Sequence, residues 1–341
     1  MMARLLRGVL AGAFLLLSGA MVRAEGPLRV GLLGMDNYQG IAFAQLFNDP
    51  AVTGELAGLS VSVAYPVTSD YPESRELTAR WLEQAKALKV VDSMESLLAE
   101  CDCVIMAGLD GRQHLAQATA VLKAGKPLFI TRPAAASLTD AAAIFAVAKQ
   151  TGTVCWSSSQ HRFSPGFSGM RKHPEVGRVI GVDVYGGYEG NRPECDALIL
   201  PLHSIETMYA IMGNPGVKSV SCVQTASTVT ATLLWADGRV GTYRGIREGQ
   251  VKYRATVFGD AGVSVAGIYG HGVPQAGVVP TNDKYMGYEG LAIEISKAFR
   301  TGVIPVSHAE TLEVFAVCEA MKRSAASNGA RIELADLLSA Q

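Results

Sequence analysis

The chain has 341 residues, of which 49% are hydrophobic and 18% are charged, and its formal net charge is −1. This length is sufficient for two ordinary domains, and the composition supplies a large core, which excludes an intrinsically disordered protein. The balanced charge, without basic segments interleaved with aromatic residues, excludes the usual nucleic-acid-binding classes, so we expect no nucleic-acid partner.

Residues 1–24 have the composition of a secretory signal peptide. Arg4 and Arg7 precede an apolar segment over 9–20, and small residues occupy the two cleavage-defining positions in 22–24. The apolar segment is shorter than the roughly 20 residues that span a membrane. We therefore predict cleavage after Ala24, Sec-type export to the periplasm or the extracellular space, and no membrane span in the mature chain. An uncleaved membrane anchor is the alternative interpretation.

Residues 25–160 predict a doubly wound α/β domain, because short apolar segments alternate with helical ones. The predicted strands are 30–33, 59–65, 90–91, 103–107, 127–130 and 154–156. The predicted helices include 73–88, 115–123 and 138–149, with one helix that follows the first strand and one that Ser93 caps. This alternation implies a parallel sheet with right-handed crossovers.

The turn after the first strand is typical of a dinucleotide-binding βαβ unit, with one important departure. Gly31 lies in the strand and Gly34 begins the turn, but the second glycine of the Gly-x-Gly-x-x-Gly pattern is Asp36 and the third is Gln39. The second glycine lets the backbone approach a pyrophosphate, and a carboxylate there would face the phosphates. The turn therefore predicts the Rossmann fold more strongly than it predicts cofactor binding.

The second predicted strand shows a further departure from the dinucleotide-binding pattern. An acidic residue normally ends this strand and binds the adenosine ribose, but here the strand ends at Tyr65, followed by Pro66. Tyr65 could stack on adenine, and Asp70 is the one acid that could replace the missing carboxylate.

The six cysteines predict buried thiols rather than a metal centre. They are Cys101, Cys103, Cys155, Cys195, Cys222 and Cys318. No histidine or cysteine cluster has metal-ligand spacing, so we predict no metal site.

Residues 161–341 predict a second, α+β domain. The predicted strands are 179–185, 220–224, 228–235, 240–243 and 255–258, and Asp237-Gly238 is a hairpin signal. Predicted helices at 203–212, 288–301 and 309–328 would cover one face of an open antiparallel sheet, and 267–281 is predicted to be a long loop.

Four segments, in this order, resemble the Gfo/Idh/MocA family, named for glucose–fructose oxidoreductase and inositol dehydrogenase. They are the turn at 31–34, the strand segment 124–133, the entry to the second domain at 161–165 and the carboxyl-terminal stretch 301–312. The resemblance covers nearly the whole mature chain. It implies an NAD(P)-dependent oxidoreductase that acts on a sugar, a polyol or a related carbonyl compound.

The resemblance also implies two catalytic residues. Arg132 occupies the position of the lysine in the family's Glu-Lys-Pro motif, and Thr131 replaces the glutamate. Arginine stays protonated, so Arg132 can hold a hydroxyl or carboxylate but cannot readily relay a proton. His203 corresponds to the family's catalytic histidine, a general base at the start of a second-domain helix. The alternative interpretations are an acid-paired Arg132 and a capping or packed His203.

Further site residues follow from the same resemblance. The candidate cofactor-binding residues are Gly31, Gly34, Met35, Asp36, Tyr65 and His114, and the candidate substrate-binding residues are Arg162 and Asp196. His114 lies in a predicted loop at 110–114, where local backbone contacts are the alternative to a cofactor contact. A domain-bridging ion pair is the alternative for Arg162.

Three functions remain open from the sequence alone. The first is an exported oxidoreductase that uses NAD or NADP. The second is an exported carbohydrate-binding or regulatory protein that has lost the cofactor, and the third is a glycoside hydrolase or lyase that uses the cofactor transiently. In each case we expect a small sugar-like ligand, and the resemblance implies a homo-oligomer formed through the second domain's sheet.

Overall fold

The computed structural model describes residues 26–71, 73–187, 196–213, 215–248, 253–267 and 287–339. The predicted signal peptide, Cys195 and residues 268–281 of the predicted loop lie outside these ranges. No helix of the described ranges is long and apolar enough to cross a membrane.

The first unit is a parallel six-stranded sheet covered by helices, as predicted. Its strands are β1 (Leu28–Leu33), β2 (Leu59–Tyr65), β3 (Lys89–Val90), β4 (Cys103–Met106), β5 (Leu128–Thr131) and β6 (Cys155–Ser158). Its helices are α1 (Tyr38–Asn48), α2 (Ser74–Gln84), α3 (Met94–Glu100), α4 (Gly111–Lys123) and α5 (Leu138–Thr151). All strand pairs are parallel, in the order β3-β2-β1-β4-β5-β6. The order reverses between β1 and β4, which places a crevice at the carboxyl ends of these strands.

The second unit is a seven-stranded sheet with helices on one face. Its strands are β7 (Val179–Gly187), β8 (Val217–Gln224), β9 (Thr228–Trp235), β10 (Val240–Ile246), β11 (Arg254–Gly259), β12 (Val263–Gly267) and β13 (Ile332–Glu333). The remaining helices are α6 (Pro165–Ser168), α7 (Asp196–Met212), α8 (Glu289–Thr301), α9 (His308–Ala326) and α10 (Leu334–Leu338). The strand order is β12-β11-β7-β10-β9-β8-β13.

The second sheet is mixed rather than purely antiparallel. The neighbours β7 and β10 run parallel, whereas the other pairs are antiparallel. The chain leaves β7 through α7 and re-enters the sheet at β8, and two reversals later β10 lies beside β7 in the same direction. The predicted hairpin is present: Gly238, with φ +89°, lies between the antiparallel strands β9 and β10.

Helix α7 begins earlier than predicted. The sequence predicted a helix over 203–212, and proline is normally confined to a first helical turn. In the structure α7 begins at Asp196 and continues through Pro201, so His203 lies inside the helix and not at its start. His203 is therefore not a capping residue.

The core of the first unit includes a helix from the far end of the chain. The α8 side chains of Leu291, Ile295 and Phe299 share one buried cluster with Phe43 and Trp156. The Ser296 hydroxyl also donates to the backbone carbonyl of Glu55 at 2.5 Å. Helix α8 thus follows β12 of the second sheet in sequence but packs on the first.

Candidate functional site

Two glycine turns meet at the carboxyl ends of β1 and β4. Gly34 has φ +86°, and a Cβ atom there would lie 2.6 Å from the backbone nitrogen of Gly108. Gly34 is therefore required both by its backbone conformation and by this close approach. Gly31 has a different role, because its Cβ would lie 2.9 Å from Leu97 Cδ1 of α3. Strand–helix packing thus explains Gly31 without any cofactor contact.

The Asp36 carboxylate is held on both oxygens by protein donors. Asp36 is 1% exposed, its Oδ2 accepts the hydroxyl of Ser74 at 2.7 Å, and its Oδ1 accepts the backbone N–H of Leu109 at 3.0 Å. Burial raises the pKa of Asp36, and these two hydrogen bonds offset part of that rise. The carboxylate therefore links the β1 turn to the turn after β4 and to the start of α2.

The residue after Asp36 supplies a donor for a dinucleotide. Asn37 caps α1 through Oδ1, which accepts the N–H of Gln39 at 3.1 Å, and its buried Nδ2 has no hydrogen-bond partner in the described ranges. A helix N-terminus attracts anions, and an unpartnered amide there adds a further donor. The start of α1 therefore fits a pyrophosphate, with Asp36 engaged elsewhere.

Two other predicted cofactor residues, Met35 and Tyr65, support the glycine turn through contacts within the protein. The side chain of Met35 is fully buried in the core between β1 and α1. The carbonyl of Tyr65 accepts the backbone N–H of Gly34 at 2.9 Å, which connects the end of β2 to the glycine turn.

His114 lies in the first turn of α4, not in a loop. Asp110 caps this helix by accepting the N–H of Arg112 at 3.0 Å. His114 Nδ1 lies 3.1 Å from the carbonyl of Pro133 and 3.3 Å from that of Ala134, and burial lowers the pKa of its ring. Since carbonyls only accept, Nδ1 carries the ring proton. His114 thus fixes the segment that follows Arg132 to α4.

A group of polar and aromatic residues, which we call the histidine cluster, lies at the junction of the two units. Its members are Ser159, His161, His203, Thr207 and Tyr253. The rings of His161 and His203 are stacked at 4.5 Å between centroids, and Tyr253 meets them edge-on at 4.6 and 5.5 Å. Ser159 follows β6, so the cluster lies at the same edge of the first sheet as Arg132 and the crevice.

Hydrogen bonds hold both imidazoles on their Nδ1 side. The Ser159 hydroxyl lies 2.6 Å from His203 Nδ1 and accepts the backbone N–H of His161 at 3.2 Å. Thr207 Oγ1 donates to the carbonyl of His203 at 2.9 Å and lies 3.3 Å from His161 Nδ1. The Nε2 atoms are therefore the ring nitrogens left for a ligand.

Both imidazoles are neutral at neutral pH. Burial and the positive charge of Arg132 lower the pKa of His161 to about 3. Burial, Arg132 and His161 lower the pKa of His203 well below its ordinary value. Arg132 stays protonated at neutral pH and thus places a positive charge beside two uncharged rings. This arrangement stabilises negative charge on a bound oxygen. The predicted general-base role of His203 stays a prediction, and its lowered pKa makes it a weak base.

Arg162 is engaged inside the protein. This buried guanidinium forms ion pairs with Glu206 of α7 and Glu310 of α9, and it lies over the ring of Tyr209. Burial raises the pKa of Glu206, although Arg162 counteracts that rise. Of the two interpretations from the sequence, these contacts match the bridging ion pair, which engages the Nε and Nη1 atoms of the guanidinium.

The remaining predictions concern Asp196 and metal binding, and Ser159 and Tyr253 of the histidine cluster were not predicted. Asp196 begins α7, and its side chain lies outside the described residues. The part of the chain that the structure describes contains no group of three or more metal-ligating side chains that could hold an ion. Ser159 was missed, although the serine run 157–159 at the end of a parallel strand is a usable signal. Tyr253 carried no such signal.

Replacing Asp36 with asparagine is expected to tighten NADH binding about threefold to tenfold. The substitution removes one negative charge beside the pyrophosphate position, which is worth roughly 1 kcal/mol in a partly solvated crevice. Isothermal calorimetry would measure the dissociation constant, with Asp49→Asn at the exposed opposite end of α1 as the matched control. Equal affinities for the two variants would place the phosphates away from Asp36.

Comparisons with known proteins agree with this geometry. The profile of the Gfo/Idh/MocA group, described as an oxidoreductase family with an NAD-binding Rossmann fold, matches residues 28–159. The myo-inositol dehydrogenase Hyg17 from Streptomyces leeuwenhoekii is 27% identical in an alignment over 220 residues, and the match covers 57% of this chain and 67% of that protein.

Solved structures share the fold over nearly the whole chain. GenD2 from gentamicin A biosynthesis, in complex with NAD, has a TM-score of 0.70 and 20% identity, covering 90% of this chain and 96% of that one. A myo-inositol dehydrogenase from Lactobacillus casei, in complex with NAD(H) and myo-inositol, has a TM-score of 0.68 and 18% identity at the same coverage. The predicted fold class is confirmed, and residues 28–159 match the model of the Gfo/Idh/MocA family, which is described as having an NAD-binding Rossmann fold.

Proposed function

We propose that this protein is an NAD(P)-dependent dehydrogenase that interconverts a secondary hydroxyl and a carbonyl on a polyol or sugar. The observation that carries this proposal is the position of Arg132 beside two neutral imidazoles at the carboxyl edge of the Rossmann sheet. The named activities of the relatives, which include inositol dehydrogenases, support a polyol as the substrate.

Different residues of the site bind the cofactor and stabilise the negative charge on the substrate oxygen. A bound nicotinamide supplies the hydride acceptor or donor. Asn37 and the N-terminus of α1 would hold the pyrophosphate, and Gly34 and Gly108 approach each other closely at the adjoining turns. Arg132 holds the reacting oxygen and stabilises its negative charge, and His203 presents Nε2 to the same oxygen. His161 and Tyr253 enclose the His203 ring and limit its access to water.

A cofactor titration tests this proposal most directly. Mature protein from Glu25 onward would be titrated with NADH and with NADPH, with energy transfer from its three tryptophans as the signal. We expect a micromolar dissociation constant for at least one cofactor, followed by reduction of NAD⁺ or NADP⁺ in the presence of a cyclitol or sugar. Failure to bind either cofactor at millimolar concentration would overturn the proposal of a dehydrogenase. The remaining function would then be that of a carbohydrate-binding protein without a cofactor.

We also propose export and self-association. The composition of residues 1–24 supports export with cleavage after Ala24, and the mass of the secreted product would test it. Self-association is supported by apolar side chains on strands of the second sheet, away from its buried face. These exposed residues are Ile180, Tyr185, Val240, Val263 and Val265. Sedimentation of the mature protein as a monomer at micromolar concentration would contradict the oligomer.

A further inference from the structure

Ser159 makes an unusual pair of contacts for a residue beside a candidate catalytic ring. Its side chain is fully buried at the carboxyl end of β6, where it caps the 3₁₀ turn Gln160–Phe163. The same oxygen lies 2.6 Å from His203 Nδ1 and 3.2 Å from the backbone nitrogen of His161. The first contact joins the end of the first unit to α7, and the second holds Oγ in place at the start of the 3₁₀ turn, so Ser159 is well placed to fix the His203 ring.

The protons of these groups have one consistent arrangement. The backbone N–H of His161 can only donate, so Ser159 Oγ accepts there and keeps its own proton. In the ranges that the structure describes, the acceptor within hydrogen-bond distance of that proton is His203 Nδ1. The hydroxyl therefore donates to Nδ1, and the neutral His203 ring carries its proton on Nε2. The opposite tautomer would leave a buried hydroxyl proton without an acceptor, which is unfavourable.

Resting on the proposed function, we propose that Ser159 is the positioning residue of His203 and holds its Nε2–H toward the substrate oxygen. His203 then acts as a neutral hydrogen-bond donor beside the cationic Arg132, rather than as a strong base. Such a pair of donors stabilises the negative charge on the oxygen of a carbonyl as it gains hydride, and the resulting alkoxide takes its proton from solvent water. In the reverse direction the hydroxyl proton passes to water, and the two donors stabilise the alkoxide that then loses hydride.

The surroundings of the ring favour this role. A carboxylate on Nδ1 would stabilise an imidazolium, but the serine hydroxyl brings no negative charge. Among the residues that the structure describes, the charged and titratable groups that face His203 are Arg132 after β5, His161 in the 3₁₀ turn and Tyr253 before β11. None of them carries a negative charge at neutral pH, and Arg132 opposes a positive ring. Geometry and charge therefore agree on a neutral donor.

Nitrogen NMR of the cofactor-free mature protein, labelled with ¹⁵N-histidine, tests the tautomer without any enzyme assay. We expect His203 to show the Nε2–H pattern, with its signals assigned by their loss in His203→Gln. His114 serves as an internal reference of opposite tautomer, because its Nδ1 faces two backbone carbonyls. An Nδ1–H pattern for His203 in the wild-type protein would overturn the proposal, whether or not the protein proves to be a dehydrogenase.

Substitutions at Ser159 separate positioning from simple packing. Ser159→Ala is expected to mix the two tautomers of His203 and to lower kcat for carbonyl reduction about tenfold, while the dissociation constant for NADH stays unchanged. Ser159→Thr, which keeps the hydroxyl, is expected to restore the Nε2–H pattern and most of kcat. An unchanged His203 spectrum in Ser159→Ala would overturn the positioning role. If the wild-type protein does not bind NADH, only the proposed function is overturned.

Discussion

Replacing Arg162 with methionine is expected to lower the free energy of unfolding by about 3–5 kcal/mol, the usual cost of removing one partner from a buried ion pair. The substitution leaves Glu206 and Glu310 facing each other without their shared cation. Urea denaturation followed by circular dichroism would measure the loss from the shift of the midpoint at constant slope.

An exposed ion pair of the same chemistry provides the matched control. Arg29 pairs with Asp102 at 2.7 Å, but both side chains are at least one-third exposed. Arg29→Met is therefore expected to cost about 1 kcal/mol or less. Adding Glu206→Gln to Arg162→Met should recover part of the lost stability, because it removes one of the two stranded charges. Equal losses for the Arg162 and Arg29 variants would contradict a desolvated bridge between the units.

Replacing His203 with alanine is expected to lower kcat about 10²–10³-fold, the usual effect of removing one donor to a developing oxyanion. The dissociation constant for NADH should not change, because the contacts proposed for the pyrophosphate lie at the start of α1. Initial-rate kinetics with the substrate found by screening would give kcat, and calorimetry would give cofactor affinity.

A second buried histidine shows whether the loss is specific. His173 lies in the second unit, where its Nδ1 accepts the backbone N–H of Glu175 at 3.3 Å. His173→Asn keeps an acceptor for this N–H and lies outside the histidine cluster, so kcat should stay within about twofold of the wild-type value. Unchanged turnover in His203→Ala would remove His203 from the mechanism.

Local sequence signals sufficed for most of the fold. Short apolar segments between helical ones predicted the parallel sheet, because strands buried on both faces need such segments. The parallel neighbours β7 and β10 were not predictable, since their pairing joins segments that are separated by a helix and two further strands. The position of His114 was misread for a smaller reason: Asp110 is an N-cap signal that was interpreted as part of a loop.

The candidate site was predictable only at residues that stand at a recognisable position of a local sequence pattern. Arg132 and His203 stand at recognisable positions of the family pattern, and Asp36 breaks a glycine pattern visibly. The partners of these residues come from distant segments: Ser159 and His203 are 44 residues apart, and Arg162 and Glu310 are 148 apart. Such contacts depend on how the two units meet, which no local pattern of residue types records.

The position of α8 has a consequence for how the first unit is completed. Its apolar face completes the core around Phe43, Phe129 and Trp156, which are fully buried in the finished protein. A chain that ends at residue 160 lacks the apolar side chains of Leu291, Ile295 and Phe299, so the core of the Rossmann unit depends on a segment from far along the chain. The first unit is therefore complete only when residues 289–301 have packed against it, wherever the chain folds.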